Sequence, residues 1–114
     1  MAEDCLFCRI VAGDIPATIV RETARTMAFR DIGPQAPTHV LVIPRVHLPD
    51  VVTLAEDADL LAEIVREAAE VAREDGVADS GWRLVFNTGA DGGQTVFHVH
   101  AHVLGGRQLS WPPG

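Results

Sequence analysis

Thr95-Val96-Phe97-His98-Val99-His100-Ala101-His102-Val103-Leu104-Gly105-Gly106-Arg107 holds three of the chain's five histidines at strict two-residue spacing. Small or branched apolar residues separate them. Alternation with a period of two is the signature of a β-strand, whose side chains i, i+2 and i+4 share a face. The spacing predicts one strand with His98, His100 and His102 on one face and Phe97, Val99, Ala101 and Val103 on the other. Imidazoles at alternate positions are anchored roughly 6.5–7 Å apart, twice the strand rise. That is close enough to share one phosphate group or one metal ion. A single histidine is usually a structural hydrogen-bonder, but three together disfavour one another's charged forms. The cluster therefore points to chemistry.

Two chemistries fit. His-x-His on a strand offers a metal two ligands at a suitable pitch, with a third available. Alternatively, a neutral imidazole attacks phosphorus while its neighbours fix its tautomer and donate protons. The flanking residues favour the second. Immediately upstream lies Thr88-Gly89-Ala90-Asp91-Gly92-Gly93, where Gly89, Gly92 and Gly93 let backbone N–H groups approach an anion. Thr95 adds a hydroxyl donor, and Asp91 is the only nearby carboxylate to serve a metal-bound water.

Further out, Thr38 to Pro44 (Thr-His-Val-Leu-Val-Ile-Pro) reads as a buried strand carrying His39. Residues 18–22 and 26–31 read as a hairpin, and Trp82 to Asn87 as another strand. Residues 5–12 repeat apolar side chains at helical spacing and end at Gly13-Asp14. Thr53-Leu-Ala-Glu56 has the form of a capping box, predicting a helix to about Arg73–Asp75 that stops at Gly76. Its apolar stripe is Leu60, Leu61, Ile64, Val65, Ala68, Val71 and Ala72, with Glu63, Arg66, Glu67, Glu70 and Arg73 on the wet face. Five strands, one long helix and one short one make an α+β antiparallel sheet with a helix on one face. Nothing divides residues 1–114, and the aperiodic tail 105–114 suggests by its Trp111 that it packs on something.

Nine basic against sixteen acidic residues give a net charge of −7, which excludes a general nucleic-acid backbone binder for want of a basic patch. No apolar run is long enough to span a membrane, and the acidic first residues lack a secretory pattern. A cytoplasmic protein is expected. Cys5 and Cys8, two residues apart, then suggest metal binding or redox chemistry before a structural disulfide. No strand precedes them, so a thioredoxin-type role fits less well.

His98-Val-His100-Ala-His102-Val-Leu resembles the histidine-triad motif, in which histidine and apolar residues alternate and two apolar residues follow. Asp31-Ile-Gly-Pro-Gln-Ala-Pro-Thr-His39, Asp91-Gly-Gly-Gln-Thr95 and Gly105-Gly-Arg-Gln-Leu-Ser-Trp-Pro-Pro-Gly114 extend the likeness over nearly the whole chain. It is similar to the Hint branch, the histidine triad nucleotide-binding proteins. That resemblance implies a homodimer, its sheet extended across the interface, that hydrolyses the P–N bond of purine nucleoside 5′-phosphoramidates through a nucleotidyl-histidine. It implies His100 as nucleophile, His102 at the phosphate and leaving group, and His98 and His39 in support. Asp31 and Ile32 correspond to the ribose side, Asn87, Gly93, Gln94 and Thr95 to the phosphate side. Leu6, Phe7, Ile10 and Ile15 correspond to the purine slot, and Trp111 to a tail reaching the partner's active site. No cofactor is needed for catalysis. Cys5, Cys8, His47 and His98 resemble a structural zinc site of bacterial relatives, the plain alternative being two free thiols. Thr95 replaces a common serine and Phe97 a common tyrosine. Other readings are a dinucleoside polyphosphate hydrolase, against which the Trp-Pro-Pro-Gly ending argues, and a nucleotide-binding interaction protein.

Overall fold

The computed structural model describes residues 4–114. Its strands are β1 (Ile19–Glu22), β2 (Thr26–Arg30), β3 (Thr38–Pro44), β4 (Trp82–Val85) and β5 (Ala101–Gly105), and its helices α1 (Leu6–Val11), α2 (Val51–Leu54) and α3 (Ala58–Glu74). The strands form one antiparallel sheet in the order β1-β2-β3-β5-β4. β3 is the central strand, and every residue in it is buried. That suits a β-branched run closed by proline, since both of its faces are covered.

Two cores result. On one face Val40, Val42, Ala101 and Val103 pack with Leu60, Ile64, Ala68, Val71 and Ala72 of α3. On the other, Met27, Phe29, Leu41 and Ile43 pack with Cys5, Phe7 and Ile10. A short helix on that second face leaves room beside it, and the histidines project there.

The histidine strand is shorter than its alternation predicts. β5 begins at Ala101, so only His102 of the three lies in the ladder. Continuing the register from Val42 opposite Ala101 would set Val99 against Pro44, which has no N–H to give. The Val99 N–H instead donates to Leu48 O at 2.7 Å. The alternation itself persists, because Val99, Ala101 and Val103 all enter the α3 core. Phe97 does not join them and stays 53% exposed. β4 ends at Val85, opposite His102, rather than at Asn87, because the partner strand runs out there.

The predicted single helix after residue 53 is two helices. Asp50 caps α2 by accepting from the Thr53 N–H, and Asp57 caps α3 by accepting from the Leu60 N–H. Aspartate thus does the capping expected of Thr53 and Glu56. Glu67 is not on a wet face: it is buried and accepts two N–H bonds from Arg21 of β1, at 2.9 and 3.3 Å. Val65, assigned to the stripe, is exposed. α3 stops at Gly76, which takes φ 76°, a conformation only glycine adopts freely. Among the described residues no helix is long and apolar enough to cross a membrane. Trp111 is exposed on the single chain, 82% accessible.

Candidate functional site

A cavity of about 350 Å³ opens on the α1 face of the sheet. Leu6, Phe7, Ile10 and Ile15 form one wall, Phe29 and Leu41 its floor, and Asp31 and Ile32 one rim. Thr95, His100 and His102 close the polar end. Nine residues singled out from sequence meet there. Phe29 and Leu41 were missed because their alternation reads only as core. A larger open hollow of about 530 Å³ near Arg25 and Arg45 contains no histidine, and its arginines pair with Asp57 and Glu22.

Hydrogen bonds assign the tautomers. His100 Nδ1 lies 2.9 Å from the His98 carbonyl. A carbonyl only accepts, so Nδ1 carries the proton and Nε2 keeps its lone pair. The Gln35 N–H donates to His39 Nδ1 at 3.0 Å, which puts the His39 proton on Nε2. From there it reaches His102 Nδ1, 2.9 Å away, with Asp31 Oδ2 at 3.5 Å. His102 is left with its proton on Nε2. Among the described residues, that Nε2 is the one buried side-chain polar atom with no hydrogen-bond partner. Buried donors are seldom left unpaired without a reason. Here an available lone pair and an unanswered N–H sit on rings whose centroids are 4.9 Å apart.

Burial holds His39 and His100 below the ordinary imidazole value, so both are neutral near pH 7. His102 is pushed down to about 4, by burial first and then by His100 and His39, with Asp31 opposing. Phe7 meets the His100 ring edge to face at 5.0 Å and the His98 ring at 6.0 Å, limiting the room either has to turn.

The glycine-rich loop contributes less backbone than expected. Gly93 N–H donates to Ala90 O and Gln94 N–H to Gly89 O. The Gln94 side chain is also spent, donating to Pro49 O and Val96 O and accepting from Gly89 N–H. Gln94 therefore fixes the loop. A Cβ on Gly92 would come within 2.5 Å of Thr88 O, so only glycine permits this turn. Neither Asn87, Gly93 nor Gln94 lines the cavity. Thr95 does, and its N–H and hydroxyl bond no other described residue.

His98 belongs to a second cluster. Its Nε2 donates to Pro44 O at 2.8 Å, leaving Nδ1 unprotonated and facing two sulfurs: Cys5 Sγ at 3.4 Å and Cys8 Sγ at 3.5 Å. His47 Nδ1 lies 3.4 Å from Cys8 Sγ, and the four ligand atoms fall within 4.8 Å of one another. Zinc bonds of ~2.3 Å to sulfur and ~2.0–2.1 Å to nitrogen at a tetrahedral angle put such atoms roughly 3.5 Å apart. The donor set, the spacing and the outer Pro44 partner of His98 all suit zinc. Asp31, His39 and His102 also converge within 4.8 Å, but the 2.9 Å between His39 and His102 nitrogens is shorter than the roughly 3.3 Å between two ligands of one tetrahedral ion. That trio is a hydrogen-bonded relay.

The arrangement defines a class: a small α+β protein whose apolar slot ends at one free imidazole lone pair and one free imidazole N–H. The chain belongs to the HIT domain family, whose model matches residues 12–109. It is 46% identical over 110 residues to the purine nucleoside phosphoramidase of Escherichia coli K12, covering 96% of this chain and 92% of that protein. An uncharacterized HIT-like protein of Synechocystis is 51% identical over the full length of both. The crystal structure of a HIT family hydrolase from Legionella pneumophila superposes with a TM-score of 0.93 at 51% identity, covering 96% of this chain and 99% of that one. The histidine triad nucleotide-binding protein of Candida albicans gives 0.81 at 31% identity, over 95% and 82%.

Proposed function

We propose that this chain hydrolyses the P–N bond of purine nucleoside 5′-phosphoramidates by way of a nucleotidyl-histidine. One observation carries this reading: His100 Nε2 and the unpaired His102 Nε2–H stand together at the end of an apolar slot. The flat purine fits between Leu6, Phe7, Ile10 and Ile15, where burying aromatic surface stabilises the complex. Asp31, at the rim beside Ile32, would accept from the ribose hydroxyls. The α-phosphoryl group then meets His100, His102 and the Thr95 donors.

His100 Nε2 attacks phosphorus, and the Nε2–P bond forms as the P–N bond breaks. Positive charge that develops on the His100 ring is met by the His98 carbonyl at Nδ1. One proton, drawn from solvent, must reach the departing amine, while the neutral His102 Nε2–H hydrogen-bonds the phosphoryl group and keeps its own proton. In the second half-reaction, water attacks the same phosphorus and breaks the Nε2–P bond. The proton that water sheds replaces the one the amine removed, so the products are the nucleoside monophosphate and the amine. Keeping His100 neutral is essential, because a protonated ring has no lone pair to attack with.

Cys5, Cys8, His47 and His98 are proposed to hold zinc. A closed four-ligand site would cross-link α1 to the segment before β5 and supply rigidity, not a nucleophile. We further propose a homodimer: β4 is an edge strand, and the exposed Trp111 tail is free to cover a neighbour. Steady-state turnover of an adenosine phosphoramidate with a fluorescent amine tests the reaction. His100→Ala is expected to abolish it, and full activity in that variant would sink the mechanism.

A further inference from the structure

The relay that presents the His102 N–H does not end at His39. Gln35 supplies the N–H that fixes the His39 tautomer, and Gln35 is itself held from the far side of the loop. The Arg107 guanidinium donates twice to the Gln35 carbonyl, from Nε at 3.2 Å and Nη2 at 2.9 Å, while Nη1 donates to Gln108 O at 3.0 Å. The Gln35 side chain donates to Gly33 O at 2.9 Å. The approach needs Gly106, which has φ 89° and where a Cβ would come within 2.9 Å of Pro37. The segment after β5 thus lies hard against the loop that ends in His39.

We infer that Arg107 is a positioning residue for the reaction proposed above: it pins Gln35 so that the Gln35 N–H stays on His39 Nδ1, and through His39 it keeps His102 in its Nε2–H form. The two His39 tautomers are otherwise close in energy. If the Gln35 N–H moves away, His39 can carry its proton on Nδ1. Its Nε2 then accepts, His102 donates from Nδ1, and His102 turns a bare lone pair toward an anionic phosphoryl group. That reverses a favourable contact into a repulsive one. Arg107 touches no wall of the cavity and is exposed, so it acts only through this chain. The guanidinium fork matters because two N–H groups converge on one carbonyl, which an ammonium cannot match in geometry.

The test needs no substrate for its first arm. In protein carrying ¹⁵N-labelled histidine near neutral pH, wild type should show His102 as the Nε2–H tautomer. Arg107→Ala should shift it to a mixture, with Arg107→Lys between. In turnover, Arg107→Ala should lose on the order of 10-fold in kcat/KM, the scale at which outer partners of a functional histidine act. The decisive arm is a double-mutant cycle with His39→Ala: once His39 is gone, removing Arg107 should cost nothing more. An Arg107→Ala protein that keeps pure Nε2–H His102, or an Arg107 loss unchanged in the His39→Ala background, overturns the inference. Should Arg107→Ala fail to fold, Arg107→Lys carries the same measurements. A wild-type protein that turns over no phosphoramidate counts against the proposed reaction, while the tautomer measurement still decides the role of Arg107.

Discussion

The two ends of the segment 98–102 hold the same kind of side chain and put it to opposite uses. At the His102 end, His102 and His39 donate and accept in one line, and the sole unanswered group is an N–H donor. At the His98 end, the bare His98 Nδ1, the His47 ring and two sulfurs crowd together. His98 is fully buried and His102 half-buried, and both are held below the ordinary imidazole value. What separates them is the partner of the other ring nitrogen. Pro44 O takes the His98 proton and leaves a lone pair among lone pairs, a place for a cation. The Gln35 N–H sets the His39 tautomer and leaves His102 with a donor, a place for an anion. His100 sits between, its lone pair exposed by the His98 carbonyl.

Perturbing each end should therefore give different losses. The largest is expected at the middle ring: His100→Ala should lower turnover on the order of 10⁴-fold or more, the scale of deleting a nucleophile, with folding unchanged by circular dichroism. Phe7 touches both His98 and His100 and lines the slot, so Phe7→Ala should damage both ends. About 3–5 kcal/mol of stability should be lost by urea unfolding, together with nucleotide affinity. A variant that lost affinity but kept its stability would show that Phe7 does not pack as described.

Cys8→Ser or a chelator should separate the ends. Bound metal should fall and Tm should drop by about 5 °C or more, what roughly 1 kcal/mol does to a chain this size. Turnover at a temperature where the chain stays folded should persist. Abolished turnover in folded, metal-free protein would instead mean that a metal activates the attacking water.

A last effect concerns pH. His102 titrates near 4 when folded and near 6.5 when unfolded, with His100, His39 and Asp31 facing it. Between those values the unfolded chain binds the extra proton, so stability rises with pH across that window and is lost as pH falls through it. Urea midpoints from pH 7 to 4.5 should show the slope, and His102→Asn should reduce it, the remainder coming from His39, His98 and His100, which burial also lowers.

Much of this was legible in the sequence because period-two alternation survives the end of a strand: Val99, Ala101 and Val103 reach the core although β5 starts only at Ala101. The central strand from Thr38 to Pro44 was readable for a different reason, as a β-branched run bounded by prolines and buried on both faces. What the sequence hid were pairings across long separations. Glu67 looks like any helical surface glutamate until Arg21 is seen beside it. Gln94 looks like a ligand-binding amide until its bonds to Gly89, Val96 and Pro49 are traced. The histidines could be counted from sequence, but their tautomers depend on Gln35, Pro44 and the His98 carbonyl, all backbone groups that no residue pattern reveals.

The central claim is that a histidine, not water, strikes phosphorus first. The direct measurement is the stereochemical course of hydrolysis of a nucleoside phosphoramidate made chiral at phosphorus with sulfur, run in ¹⁸O-labelled water. Two successive in-line displacements, first by His100 Nε2 and then by water, predict net retention of configuration. Net inversion would mean a single attack by water and would contradict the account.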